Sequence, residues 1–289
     1  MRVLIVGARG QLGQELQKTA PAGVELLLVG RAELDISRQQ AVLDCVLQLK
    51  PQLIINAAAY TAVDGAETKP DLAVQVNAEG PGYLAIAAQQ IDARLLHVST
   101  DFVFDGTSTA PYTTRQEPRP LGIYGHSKLA GERRVMEILP LQSLVLRSAW
   151  VYSSFGANFV KTMLRLMTER DELAVVGDQV GTPTWARGLA QVLWSFVDHP
   201  DAHGIYHWTD GGGCSWHEFA EAILKEAREL GLVEKEVAVE AIATDEYSTA
   251  AQRPAYSVLD CSATTALLGN SQLSWQTQLH SMLTELKTL

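Results

Sequence analysis

Val3-Leu4-Ile5-Val6-Gly7-Ala8-Arg9-Gly10-Gln11-Leu12-Gly13 decides the fold. Four apolar residues in a row read as a strand buried on both faces. The next glycines stand in G-x-x-G-x-x-G spacing, and from Gln11 to Ala20 the pattern turns helical. Strand, glycine turn and helix in that order make a cradle for a pyrophosphate. Glycine permits positive φ and close backbone approach, and a helix N-terminus offers N–H donors and a partial positive charge. A merely tight turn is the plainer reading, but three glycines at this place favour Gly7, Gly10 and Gly13 as dinucleotide ligands.

The alternation continues outward from this unit. Leu26–Val29, Leu53–Ile55 and Leu95–Val98 are further short apolar runs, and Gln39–Lys50 is helical in pattern. Repeated βαβ units imply a doubly wound, Rossmann-like parallel sheet of the α/β class. Beyond residue 150 the pattern loosens. Asn158–Arg170 and Trp216–Leu230 read as amphipathic helices, Leu173–Val176 and Ile205–Trp208 as short strands, and Trp275–Leu289 as a closing helix. Ser215, after the turn Asp210–Gly213, suits a helix N-cap. The expected division is a dinucleotide-binding domain over 1–150 and a smaller substrate-binding region over 151–289, with crossings back into the first.

The chain has 289 residues and a formal charge of −10, with no cluster of basic residues. Nucleic acid and anionic membranes are therefore not expected as partners. Cys45, Cys214 and Cys261 are far apart and form no CxxC, which points to a reducing compartment. Met1-Arg2 leads straight into the first strand, so no signal peptide is expected and the cytoplasm is the expected location.

Four further segments carry chemistry. Strand two ends in Gly30-Arg31, where an NAD-selective fold places an acid on the ribose 2′-hydroxyl. Arg31, with Arg9, is either a reader of a 2′-phosphate or a solvated surface arginine; Asp35-Ile36 would sit near the adenine. Asn56-Ala57-Ala58-Ala59-Tyr60-Thr61 places small residues at a strand's carboxyl end, where a flat ligand can lie; simple loop packing is the alternative. Ser99-Thr100-Asp101 offers a hydroxyl to a substrate carbonyl and a carboxylate to a sugar hydroxyl, or else caps a turn. Tyr124 and Lys128 stand four apart on one helix face. There an ammonium would lower the phenol's pKa and let Tyr124 supply a proton to a reduced carbonyl. His203 and His207 also stand four apart, but Gly204–Trp208 reads as strand, so they are not expected to form a metal pair.

These residues, with the segments GARGQLGQEL, PQLIINAAAYTAVDGAE, STDFVFDG, YGHSKLAGE, RSAWVY, NFVKTMLRL, DQVGTPT and RPAYSVLD, resemble the dTDP-4-dehydrorhamnose reductase family of extended short-chain dehydrogenases/reductases over nearly the whole chain. The resemblance implies NAD(P)H-dependent reduction of the 4-keto group of dTDP-4-dehydro-β-L-rhamnose in dTDP-rhamnose biosynthesis. NADPH is favoured over NADH on the ground of Arg31. The resemblance implies Thr100, Tyr124 and Lys128 as the catalytic set, and Gly10, Gln11, Leu12, Asp35, Ile36, Ala59, Tyr60, Thr61, Tyr124 and Lys128 around the cofactor. Val63, Thr100, Asp101, Phe102, Val103, Tyr124 and Trp150 would face the sugar nucleotide. Phe102 stands where a tyrosine is usual, which removes one hydroxyl contact. Some members dimerise around Mg²⁺ held by three glutamates; here Glu15 and Glu285 match two, and Arg187 takes the third place. No Mg²⁺ is expected, Arg187 instead pairing with both carboxylates, and the chain is expected as a monomer or homodimer. Two other readings stand: a reductase for another 6-deoxy-4-keto sugar nucleotide, and a non-catalytic regulatory subunit like that of methionine adenosyltransferase.

Overall fold

The computed structural model describes residues 1–269 and 271–289. In chain order the strands are β1 (Arg2–Val6), β2 (Glu25–Val29), β3 (Leu53–Asn56), β4 (Arg94–Thr100), β5 (Ser143–Ser148), β6 (Val151–Tyr152), β7 (Glu172–Val176), β8 (Val180–Gly181), β9 (Thr184–Trp185), β10 (Gly204–His207), β11 (Cys214–Ser215) and β12 (Ala238–Ile242). The helices are α1 (Gln11–Lys18), α2 (Gln39–Leu49), α3 (Val63–Thr68), α4 (Pro70–Val74), α5 (Gly80–Gln90), α6 (Ile123–Ile138), α7 (Phe159–Glu169), α8 (Ala186–Ser195), α9 (Trp216–Glu229), α10 (Ser262–Leu268) and α11 (Trp275–Thr288), with a π-helical turn at Gln75–Glu79 between α4 and α5.

Six strands form one parallel sheet in the order β2-β1-β3-β4-β5-β10. The direction of winding reverses between β1 and β3, and ligands of such sheets lie outside the strand ends at that crevice. The continuous apolar runs arise from the sheet's two covered faces. In β1, Val3 and Ile5 join Leu12 and Leu16 of α1 and Leu189 and Leu193 of α8. Leu4 and Val6 point the other way, onto Val42 and Val46 of α2, Leu84 of α5 and Val135 of α6. Each such aliphatic side chain contributes about 1.5–3 kcal/mol by leaving water, and their period of two leaves β1 no solvent face.

A second core lies beyond the sheet. Val160, Met163 and Met167 share the inner face of α7 and pack with Phe219 and Ile223 of α9 and with Trp275, Leu279 and Met282 of α11. Helix α9 begins in a capping box: Glu218 N donates to Ser215 Oγ at 3.1 Å and Ser215 N to Glu218 Oε2 at 2.6 Å. The region is not a separate bead. Strand β10 returns to the sheet beside β5, and α8 covers α1. His203 precedes β10 and His207 ends it, so they share no helix face; buried His207 Nδ1 lies 3.0 Å from the Tyr112 carbonyl. All three cysteines are free thiols. Among the described residues no helix is long and apolar enough to cross a membrane.

Candidate active site

The turn after β1 is built by what its glycines lack. Gly7 has φ +83°, and a Cβ there would lie 2.7 Å from Ala58 N. A Cβ on Gly13 would lie 2.2 Å from Gly7 O, so α1 can start close against the turn only with glycine in that place. Gly10 caps α1 without a side chain, and among the described residues no N-cap side chain satisfies the first-turn N–H groups. Ala57, Ala58 and Ala59 leave β3 opposite this turn and share the groove with Gly10. One arm of the groove, about 230 Å³, is bounded by Arg31, Asp35, Ile36 and Tyr60. The other, about 630 Å³, runs past Gln11, Leu12 and Thr61 to the carboxyl end of β4. A cradle that any Cβ would fill, uncapped donors and a flat floor of alanines fit a dinucleotide.

The wider arm brings together Val63, Thr100, Asp101, Phe102, Tyr124, Lys128 and Trp150. Thr100 ends β4, and its Oγ1 accepts from Phe102 N at 3.2 Å and donates to Asp101 Oδ1 at 3.1 Å, so it both caps the turn and lines the site. The ring of Phe102 meets the Tyr124 ring edge-on, 5.5 Å between centroids. Helix α6 comes close because Gly125 and Gly131 allow it; a Cβ at either would lie within 2.2 Å of the Phe102 or Asn77 carbonyl oxygen. Lys128 is buried and donates from Nζ to Val98 O at 2.7 Å.

Electrostatics at this end differ from the sequence expectation. Burial, not the lysine, governs Tyr124: desolvation pushes its phenol up to about 12, the Thr100 hydroxyl opposing and the Asp101 charge assisting. Part of Tyr124 stays open to the groove, and the phenol holds its proton at neutral pH. Burial lowers Lys128 to about 8, with the Glu132 carboxylate opposing. Burial raises Asp101 to about 6, and the Ser257 and Thr100 hydroxyls resist the rise.

Two expected residues do not line the groove. Val103 is wholly buried with Phe104, Tyr112, Leu129 and Leu259, so its side chain belongs to a core rather than to the sugar. Gly13 lies behind the cradle and acts through close packing alone. Other contributors were not singled out from sequence. Asn77, on the π-helical turn, accepts from Tyr60 N at 2.8 Å and donates to Tyr60 O at 3.0 Å and Ser127 Oγ at 3.1 Å, and Ser127 donates to the Tyr124 carbonyl at 2.8 Å. It thereby ties the Tyr60 loop to α6, from a π-helical turn of the kind often found at functional sites. Trp216 stacks on Trp150 with 3.4 Å between centroids, and the Trp150 ring would meet a Cβ on Gly181 at 2.5 Å. Trp150 itself has φ +46°. Arg253 lines the same arm and forks onto Asp64, at 3.1 Å to Oδ1 and 2.7 Å to Oδ2.

Arg187 does bridge the two acids. Its Nε donates to Glu15 Oε2 at 3.0 Å and its Nη2 contacts Glu285 Oε2. Ser153 and Ser154 complete the carboxylates at 2.7 Å each, and Lys18 lies 3.0 Å from Glu285. Burial would raise Glu285, but Ser154, Lys18 and Arg187 together hold it below the usual carboxylate range. All of these contacts lie within one chain. Among the described residues no three His, Cys, Asp or Glu side chains converge as metal ligands.

Residues 1–288 match the family described as the RmlD substrate binding domain. The dTDP-4-dehydrorhamnose reductase of Aggregatibacter actinomycetemcomitans is 42% identical, over 97% of this chain and 98% of the relative. A crystal structure of a dTDP-4-dehydrorhamnose reductase from Clostridium acetobutylicum superposes with TM-score 0.93 at 40% identity, covering 99% of this chain and 100% of that one. One from Bacillus anthracis, in complex with NADP, superposes with TM-score 0.92 at 39% identity, covering 98% and 99%. The fold agrees with that likeness, and the chain belongs to the RmlD substrate-binding-domain family.

Proposed function

We propose that the chain reduces the 4-keto group of dTDP-4-dehydro-β-L-rhamnose to give dTDP-β-L-rhamnose, using NADPH or NADH. The observation that carries the reading is the convergence of Thr100, Tyr124 and Lys128 in one arm of a groove whose other arm is a glycine cradle. Gly7, Gly10, Gln11 and Leu12 would hold the pyrophosphate region, Arg31, Asp35 and Ile36 the adenosine end, and Ala59, Tyr60 and Thr61 the stretch between. The reduced nicotinamide, when bound, supplies hydride. Thr100 Oγ1, turning its hydroxyl from Asp101 Oδ1, would donate to the sugar's C4 oxygen and orient it. Tyr124 gives its proton to that oxygen as negative charge develops there, and a phenol that keeps its proton at neutral pH is the form this direction of reaction needs. Lys128, still largely charged at pH 7, stabilises the tyrosinate left behind. Val63, Asp101, Phe102 and Trp150 bound the sugar, covered by the smaller region from about residue 151.

We place the activity in the cytoplasm, carried by a monomer or homodimer, with a sugar nucleotide as the partner. The test is incubation with dTDP-4-dehydrorhamnose and each nicotinamide cofactor, then NMR of the product. Formation of dTDP-β-L-rhamnose supports the reading. No turnover, or a product of the opposite C4 configuration, overturns it.

A further inference from the structure

The adenosine end of the groove holds two arginines that are not equivalent. Arg31 borders it; among the described residues no side chain forms a close ion pair with it, though its charge helps to lower the Asp35 carboxyl. Arg9 reaches the same place from the glycine turn, but its Nη2 lies 3.3 Å from Glu33 Oε1. Glu33 is fixed in turn, because its Oε2 accepts from Gly30 N at 2.8 Å. Gly30 has to be glycine for this arrangement: a Cβ would lie 2.6 Å from Arg9 Cγ and 2.9 Å from Glu33 Oε2. Asp35, the other acid here, is turned onto Ser37, with Oδ1 2.7 Å from its hydroxyl and 3.1 Å from its amide. The end of β2 therefore carries a carboxylate after all, two residues beyond the expected place and pointed at an arginine.

Resting on the reading that this groove takes a nicotinamide dinucleotide, we infer that Glu33 sets the choice between NADPH and NADH by holding Arg9 away from a 2′-phosphate. A 2′-phosphate finds Arg31 available, but reaches Arg9 only by displacing a carboxylate of its own sign. Without a 2′-phosphate the pair stays closed and nothing is lost. The result is a narrow preference between the two cofactors where two available arginines would give a wide one.

Glu33→Gln tests this, because the amide oxygen can still accept from Gly30 N and the site is on the surface. Binding is read by calorimetry with NADPH, NADH, adenosine 2′,5′-bisphosphate and adenosine 5′-monophosphate. The expected result is roughly three- to tenfold tighter binding of the two 2′-phosphorylated ligands, with the other two changed less than about twofold. In an Arg9→Ala background the same substitution should lose most of that gain. Unchanged discrimination in Glu33→Gln overturns the inference, as does a full gain without Arg9. If the wild-type protein binds none of the four ligands, the dinucleotide reading itself has failed.

Discussion

Lys128 Nζ donates to the Val98 carbonyl, 2.7 Å away on β4. That bond fixes the ammonium at the floor of the groove, where burial lowers its pKa to about 8 while Glu132 resists. A lysine with a lowered pKa is charged below that value and neutral above it. If Lys128 acts as a cation, kcat/KM falls as pH rises through about 8. Lys128→Met should be slow at all pH values and lack this limb. A wild-type profile flat from pH 7 to 9.5 would contradict the assignment.

Tyr124→Phe removes the proton donor and keeps the ring that Phe102 meets edge-on. Groups acting in general acid–base catalysis contribute typically about 10²–10⁴-fold. A fall of that size in kcat is expected, with the melting temperature little changed. Retention of more than about half the wild-type rate would remove Tyr124 from the mechanism.

Arg31 borders the narrower arm of the groove, and among the described residues it forms no close ion pair, Asp35 only feeling its charge. Arg31→Ala should therefore weaken NADPH by roughly tenfold and NADH much less, since only the former carries a phosphate to pair with. Direct binding titrations with each cofactor give the answer, and equal losses would mean that Arg31 does not read the 2′ position.

Much of the fold and site was legible in the sequence, for physical reasons. A strand buried on both faces must be apolar throughout, and a pyrophosphate cradle must be glycine, so β1 and its turn announced themselves. Tyr124 and Lys128 were legible because helical spacing alone puts them on one face. The sign of the tyrosine shift was not, because it depends on how much water the folded chain removes, and no local pattern records that. Val103 was misplaced for a similar reason: its segment was assigned to the sugar, but a short 3₁₀ turn over Asp101–Val103 sends its side chain into a core. Asn77, Trp216 and Glu33 escaped notice because each acts through a partner distant in sequence or through a turn whose shape had to be seen.

Arg187 holds Glu15, which is wholly buried, together with Glu285. Arg187→Met would leave one carboxylate buried without its cation, and breaking such a pair costs about 3–5 kcal/mol. A clear fall in melting temperature is expected, measured by calorimetry at pH 7. Excess EDTA should leave wild-type stability and activity unchanged; a loss reversed by Mg²⁺ would show that the arginine does not replace a metal.

Asp210 offers a pH signature in the second region. Its Oδ2 accepts from Trp185 N at 2.8 Å, and burial raises its pKa to about 7. The folded state thus keeps a proton that the unfolded chain has released. For a raised pKa the stabilisation is full below about pH 4 and is lost as pH rises through about 7, up to about 4 kcal/mol in all. Asp210→Asn retains an acceptor and does not titrate, so its stability should exceed that of wild type increasingly from pH 5 to 8. Parallel stability curves for the two proteins would refute this.

The return of β10 to the sheet has a consequence for synthesis. The edge of β5 is covered when Gly204–His207 pairs with it, and the α1 face is closed by α8 and by residues that follow it, such as Phe196 and Trp208. A nascent chain that has emerged as far as Ser148 therefore has all five earlier strands but an open edge and a bare apolar flank. Folding of the cofactor-binding half is expected to wait until the ribosome has added α8 and β10, and chaperones would meet the half-made sheet during that interval.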